Sequence, residues 1–525
     1  MLFGAQLIHE SSSEALDKKR AMRTAIKEFC KAGPGRSELE KNLLAIWKGF
    51  TADGEAAEPL AAEFAKASGA APELRAITRC NMHAEQRSME SALKSNPKVH
   101  RILDMLVLQF SEGRSEAKGA LSRALRNSDK LRSKFGKKAQ EKLQAVQKAL
   151  ENTEQAWMGP KKAPCGKHAV SSAPSRFDSI LEALRTIILN YLAVLEFLVE
   201  LAASSEDASD DWAEKLLTLF QEDGTEELLA ATAEFLQIAK KYVHYSEGHL
   251  SQNNLITAAR DELQMKKDFQ KMFFPGEDGV PFCVSQKYSR GYHAVLQQQI
   301  RSAEDGAGEV VIMSGTGEPL YRRRAKNQAQ IATEAASAMK QMQVATELFI
   351  KGNEADHALG RSMHPFDVVS WTREGKGEDM ENTLKLIAEV ADVEVKELEK
   401  DLLSTMPFVL QEVQEAGNEL LVSWKKAALA FKNRVSALPK ALYAVVSLWR
   451  GTGALESWFH IGKSQPSQKC MTDEQRTARM RIRINGPPLQ EFCKKSVVEG
   501  KVQYEPGPLC LLAQNLYAST YGTMC

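Results

Sequence analysis

The sequence predicts a predominantly α-helical protein with a small mixed α/β part. Three observations carry this. Lys, Glu, Ala and Leu, all good helix formers, dominate a chain in which aromatic residues are only 7%. Long segments place apolar residues at helical spacing, the widest stripe being Phe177, Ile180, Leu181, Leu184, Ile187, Ile188, Leu192, Leu195, Leu198 and Val199. Strand-like segments are few and short: Met1–Ile8, Leu74–Arg79 with apolar residues at alternate positions, and Val310–Met313.

The elements follow in chain order. Ser13–Phe29 reads as a charged helix and Gly33–Ser37 as a turn. Leu39–Phe50 is a helix, or a helix then a strand, ending at Thr51-Ala52-Asp53-Gly54. Pro59–Ala67 is a helix with an alanine-rich face. His83–Phe110 is one long helix that Pro97 kinks. From Arg114 the chain turns basic and reads as a helical hairpin or an extended arm, followed by a flexible basic linker at Gly159–Pro174. Arg176–Leu250 is a helical bundle, and Gln328–Phe349, Asn382–Val390 and Val393–Leu403 are further helices. Leu410–Trp449 is a last long tract broken near Pro439, and the segment towards Cys525 is weakly patterned.

Composition bounds the function classes. With 525 residues, 43% hydrophobic and 26% charged, the chain has material for roughly two to four domains. A formal charge of +1 steers no partner globally, so electrostatic binding must come from local patches. The eight cysteines are scattered, and no basic segment followed by an apolar run precedes them. They read as reduced thiols of a nuclear or cytoplasmic protein that is not secreted. Ile180–Ala203, the longest apolar stretch, is interrupted by Glu182, Arg185, Asn190, Glu196 and Glu200 and reads as a buried helix, so no membrane partner is expected. Ser314-Gly315-Thr316-Gly317 lacks the lysine and length of a phosphate loop, and no small-molecule substrate is evident.

Some segments have chemical potential. Asp53 ends an apolar run, as a carboxylate presented at a strand edge does; such carboxylates hold divalent metal in phosphoryl-transfer sites, and Asp-Gly is also a common turn pair. Cys80-x-x-His83 and Cys165-x-x-His168 share a spacing and together offer four zinc ligands, or are two unrelated pairs. Glu456 sits in the first turn of a helix after Gly451-Thr452-Gly453, where a dipole partner is the plain reading.

The order of these motifs resembles the hAT superfamily of DNA transposases. Thr51-Ala52-Asp53-Gly54 is followed by Cys80-x-x-His83 opening a helix, then by Ser175-Arg176-Phe177-Asp178-Ser179, then by Gly453-Ala454-Leu455-Glu456-Ser457-Trp458-Phe459. The resemblance implies an RNase H-like core interrupted by a large all-helical insertion. On that reading, residues 1–110 are the N-terminal part of the core, 111–175 a basic helical arm and linker, 176–430 the insertion, 431–495 the C-terminal part of the core with dimerisation-type helices, and 496–525 a tail. Asp53 and Glu456 would be catalytic, metal-holding carboxylates, Cys80 and His83 a structural pair, and Arg176 and Phe177 the entry to the insertion, with Phe177 standing where the family has tryptophan.

Two departures matter. The family's first catalytic aspartate has no counterpart in Met1–Ile8, since Asp17 is the only aspartate before Asp53, and no Cys or His cluster precedes Cys30 to form the family's DNA-binding finger. Two-metal cleavage needs carboxylates flanking ions roughly 3.5–4 Å apart, so the expectation is a transposase-derived pseudoenzyme. No cofactor is expected, and Mg2+ or Mn2+ only if catalysis is retained. The expected partners are DNA and a second copy of the chain. DNA binding is assigned to Arg123, Arg126, Lys130, Arg132, Lys134, Lys137 and Lys138, to Arg322, Arg323 and Arg324, and to a third cluster at Arg476, Arg479, Arg481 and Arg483. The competing classes are a helical protein-interaction scaffold without nucleic-acid binding, and an active metal-dependent strand-transfer nuclease recruiting Glu10 or Glu14 as its third acid.

Overall fold

The computed structural model describes residues 38, 47–52, 57–69, 71–107, 120–151, 153, 156–165, 178–204, 211–246, 255–273, 280–303, 310–313, 319–323, 333, 336–342, 344, 354–374, 379–448, 493–498 and 501–506. The expectations for Met1–Ile8, Ser13–Phe29, Gly33–Ser37, Asp53, Ser314–Gly317, Arg324 and the arginines 476–483 lie outside these residues. The chain divides into two compact units. One is assembled from 1–48, 55–77 and 453–525; the other comprises 49–54 and 78–452. The described residues are predominantly helical, as composition and periodicity predict.

In the first unit, helix α1 (Ala57–Ala67) buries Ala61, Ala62 and Ala65, the alanine face read from sequence. The Lys48 ammonium is 2.7 Å from the Glu73 carboxylate. Strands β5 (Cys493–Val498) and β6 (Lys501–Pro506) form an antiparallel hairpin that sequence patterning did not predict. Val498 pairs with Lys501, leaving Glu499-Gly500 as a two-residue connection, and the boundary drawn at residue 495 falls inside β5.

Strands β1 (Gly49–Ala52) and β2 (Ala76–Arg79) pair with one another. The Lys48 carbonyl accepts from Ala76 N–H and the Ala52 carbonyl from Cys80 N–H. The Thr78 hydroxyl donates to the Phe50 carbonyl, again 28 positions away. A constant offset is the signature of a parallel pair, which requires a crossover segment between its strands. That segment holds α1.

The second unit begins with α2 (Asn81–Ser95) and α3 (Pro97–Val107). The single long helix expected over His83–Phe110 is therefore two. Asn96 is extended, and its side-chain oxygen accepts from the N–H groups of Lys98 and Val99, both at 3.0 Å. Pro97 occupies the first position of α3, where a missing N–H costs nothing. Helices α4 (Ala120–Asn127) and α5 (Asp129–Glu151) follow. The apolar stretch expected as one buried helix is also two, α6 (Asp178–Leu189) and α7 (Tyr191–Ser204), bent by 82°. At the break, Asn190 Nδ2 donates to the carbonyls of Thr186 and Pro164, so the side chain supports the kink. Both helices are buried. No described helix is by itself long and apolar enough to cross a membrane, and the bent pair alone passes that test jointly.

Helices α8 (Asp211–Gln221), α9 (Thr225–Ser246), α10 (Ala258–Phe273) and α11 (Tyr292–Ala303) complete the main core. Helix α9 is central, touching α2, α3, α6, α8, α10 and α11, and from Thr225 to Leu236 every residue is buried. Edge-on pairs Phe135–Phe197 (5.6 Å) and Tyr191–Phe220 (5.7 Å) and the stacked pair Phe235–Phe269 (5.0 Å) fix the packing. Strands β3 (Val310–Met313) and β4 (Pro319–Arg323) form an antiparallel hairpin, β3 as expected and β4 unpredicted.

The remaining helices are α12 (Glu354–Ser362), α13 (Val368–Glu374), α14 (Met380–Ala391), α15 (Val395–Gln414), α16 (Leu420–Ala430) and α17 (Ala437–Ser447). Trp424 is fully buried, and its Nε1 donates to the Phe366 carbonyl at 2.8 Å. The expected break near Pro439 is displaced. The chain turns at Gly417, whose φ is +64°, and again over Phe431–Ser436. Pro439 lies in the first turn of α17, where its N–H would have no intrahelical partner.

Candidate functional site

The sequence locates a site at the end of β1. Thr51 and Thr78 face one another across the parallel pair, their hydroxyls 3.0 Å apart. Asp53 directly follows β1 and lies outside the described residues, as do Glu456, Arg176, Phe177 and His168. Cys80 is fully buried and stands at the N-cap of α2, with no side-chain hydrogen bond to that helix end. His83 is three positions further, in the first turn of α2; its side chain lies outside the described residues. Helix α17 packs on β1.

Cys165 lies against α5. Its Sγ would lie 3.4 Å from a Cβ placed at Gly136 of α5, within van der Waals contact of that helix. The segment 156–165, expected as flexible linker from Gly159 onward, is strapped down. Gln298 of α11 donates to the Ala156 carbonyl and accepts from Met158 N–H; Trp157 Nε1 donates to Pro160; Asn190 donates to Pro164. Cys80, Cys165 and Cys283 are free thiols, and no cluster of three or more His, Cys, Asp or Glu suited to a metal occurs among the described residues.

The basic segment assigned to DNA is a packed element. Helix α5 buries Phe135, Ala139, Leu143, Val146 and Leu150. Its lysines face α7: Lys134 lies 2.9 Å from Glu200, Lys138 bonds Glu200 and lies 3.6 Å from Glu196, and Lys142 lies 3.0 Å from Glu196. Burial raises the Glu200 carboxyl pKa, and the bonds from Lys134 and Lys138 outweigh this and bring it below the usual value. Arg132 pairs with Asp129 and donates to the Leu125 carbonyl at 3.1 Å, closing the end of α4. Lys134, Lys138 and Arg132 thus have intramolecular partners that compete with the phosphate contacts assigned to them. Arg126, Lys130 and Lys137 are exposed and make no ion pair among the described residues. Arg123 lies on α4 and Arg322 and Arg323 on β4, opposite Val311 and Val310; the side chains of these three lie outside the described residues.

Several buried carboxylates escaped the sequence reading, and three of them meet helix N-termini. Glu234 of α9 accepts from Tyr292 N–H at 2.8 Å, at the start of α11, and from the Tyr288 hydroxyl at 3.4 Å. Burial raises its pKa to about 7, and the same burial together with the Glu234 charge pushes Tyr288 up to about 12 and the Cys283 thiol upward. A Cβ at Gly291 would lie 2.8 Å from Glu234 Oε1 and closer still to Tyr288, so glycine is required there. Asp367 is fully buried, 2.9 Å from Arg260, and accepts from Ser370 N–H in the first turn of α13. Asp401 Oδ2 accepts from Ser436, Ala437 and Leu438 N–H at 2.9, 2.9 and 3.0 Å, capping α17 from α15. A perturbed carboxylate can mark a functional site, but each of these three ends on a helix N-terminus, where the unpaired N–H groups need an acceptor. They clamp helices together. Single aspartates and glutamates within helical sequence carry no mark of this, because their partners are 35 to 58 positions away for Asp401 and Glu234. Comparison with protein-family models, curated proteins and solved structures finds no match to this chain.

Proposed function

We propose that this chain derives from a cut-and-paste DNA transposase of the hAT type, is deficient in strand cleavage, and retains association with DNA and with itself. One observation supports the reading above the others. A strand, β1, leads directly into Asp53; a helix and a parallel partner strand follow; and Cys80 stands at the N-cap position of the next helix. This is the order of strand-end aspartate and Cys-x-x-His helix that the resemblance requires. Two further facts agree with it. One unit is assembled from both ends of the chain, with a long helical unit between them. Helix α17, which precedes Glu456 in the chain, packs on β1, which precedes Asp53.

Within these residues the reading assigns two of the three carboxylates, Asp53 and Glu456. Residues that act as a catalytic unit lose most of their rate enhancement when one is missing. Purified protein with Mg2+ or Mn2+ is therefore expected to leave supercoiled DNA intact in a nicking assay. Robust nicking that disappears in Asp53→Ala would overturn the deficiency and favour the active nuclease. A measured Asp53–Glu456 separation too large for one cleft would remove the transposase reading and leave the helical scaffold.

A further inference from the structure

We propose that the exposed basic surface of α16, the turn Phe431–Arg434 and α17 docks the phosphate backbone of duplex DNA. The proposal rests on the reading of the chain as DNA-associated and locates that association away from every residue the sequence motifs suggested. The starting point is a competition for counter-charge. On α5, Lys134, Lys138 and Lys142 have lost it to Glu196 and Glu200. Between Glu419 and Glu456 the chain contains no acidic residue, but carries Lys425, Lys426, Lys432, Arg434, Lys440 and Arg450. Lys426 is engaged by Glu412 at 2.6 Å. Lys425, Lys432, Arg434 and Lys440 are exposed and form no ion pair among the described residues. In a chain whose net charge is +1, this is a local excess that the rest of the molecule does not impose.

The packing of the two helices holds these cations outward. Helix α16 buries Leu421, Ser423, Trp424 and Ala427, so Lys425 emerges on the opposite side. Helix α17 buries Ala437, Leu438, Ala441, Leu442, Ala444 and Val445, leaving Lys440 and Tyr443 on its solvent stripe. Asp401 ties the start of α17 to α15 through three N–H bonds, so the turn bearing Lys432 and Arg434 is fixed at its far end. The acids with defined contacts here are engaged elsewhere: Glu412 with Lys426, Asp401 with the N–H groups that start α17, and Glu397 with the Ser436 hydroxyl.

A rigid cationic surface with an exposed aromatic suits a phosphate backbone, where each neutralised phosphate releases counterions. An anionic lipid surface is the other polyanion such a patch could meet. It would favour a helix with segregated apolar and charged faces. Here the apolar faces are turned into the protein. The exposed apolar side chains, Val422 and Leu429 on α16 and Tyr443 and Val446 on α17, are few beside Lys425, Lys426, Lys432, Arg434 and Lys440.

The test uses the full chain and a short duplex, with binding read by fluorescence anisotropy between about 50 and 200 mM salt. The variant Lys425→Gln/Lys432→Gln/Arg434→Gln/Lys440→Gln is expected to weaken binding tenfold or more and to lower the slope of log affinity against log salt by about 3 to 4, near 0.9 per lost contact. Arg434→Gln alone, in the turn and outside both helices, should move both quantities in the same direction while leaving circular dichroism unchanged. Wild-type affinity and slope in the fourfold variant would overturn the proposal. If instead Arg126→Gln/Lys130→Gln/Lys137→Gln carries the loss, this surface is refuted while DNA association stands. If the wild-type chain ignores duplex but binds phosphatidylserine vesicles, and Leu429→Ser abolishes that, the surface belongs to a membrane and both readings fall.

Discussion

Replacing Asp401 with alanine tests the clamp that holds α17 against α15. The carboxylate is 4% exposed and its Oδ2 accepts three backbone N–H groups at 2.9 to 3.0 Å. Hydrogen bonds to a charged group are worth about 1.5–3 kcal/mol each, and a buried donor left unpaired costs about 1–3 kcal/mol. The three share one oxygen and one helix end, so their effects do not add; loss of an ordinary N-cap costs about 1–2 kcal/mol. Ser436 is exposed, so water can replace one bond, while Ala437 and Leu438 are buried. Two buried donors stranded at roughly 1.5–2 kcal/mol each place the cost of Asp401→Ala at about 3–4 kcal/mol. Asp401→Asn, which keeps an acceptor and loses the charge, should cost about half as much. Urea unfolding followed by Trp fluorescence measures this, because Trp424 is buried beside Phe366 in the same group of helices, with ring centroids 5.4 Å apart. Hydrogen exchange at Ala437 and Leu438 localises it. A loss under about 1 kcal/mol for alanine, or an asparagine variant no better than alanine, would refute the argument that charge-assisted capping from α15 fixes α17.

Other perturbations follow from the same contacts. The Glu234 carboxyl is raised from 4.5 to about 7, so its contribution to stability is full below about pH 4.5 and is lost as pH rises through 7. At about 1.4 kcal/mol per unit the loss is about 3–3.5 kcal/mol, and Glu234→Gln should melt higher than wild type at pH 8 and show a flatter profile from pH 5 to 8.5. Glu262 behaves oppositely. Burial works to raise its pKa, and bonds from His357 and Lys266 hold it at about 2, so its contribution is present above 4.5 and lost as pH falls towards 2. Glu262→Gln should cost about 1–3 kcal/mol at pH 7 and nothing at pH 2, read from urea midpoints. Asn96→Ala removes the acceptor for Lys98 and Val99 N–H and should cost about 1 kcal/mol by the same measurement, with faster exchange confined to the first turn of α3.

What was legible in the sequence was whatever local periodicity encodes. The stripes of α6, α14 and α15 and the alanine face of α1 reappear in the structure, and β2 forms within the segment read as a strand. Breaks made by side-chain hydrogen bonds were not legible: Asn96 and Asn190 end helices by bonding backbone that a periodicity count treats as continuous. Nor was the fate of the basic segment. Lys138 and Glu200 are 62 positions apart, so a window that sees only the lysines reads an arm where the fold has an interhelical ladder. The hairpin of β5 and β6 failed to register because Lys494, Lys495, Gln503 and Glu505 hide any apolar alternation and Glu499-Gly500 is a weak turn signal. At the candidate site, the strand before Asp53 and the helix after Cys80 were readable.

The strap at 156–165 also constrains the order in which the molecule can be made. Its two backbone bonds to Gln298 join residues about 140 positions apart. On a ribosome, helices α4 to α10 emerge and begin to pack while those backbone groups still face water, and only the arrival of α11 closes the segment onto them. A nascent chain stalled before Gln298 would present this stretch to proteases and chaperones, and one stalled after it would not, so protease resistance of Ala156–Cys165 serves as a clock for completion of the central bundle.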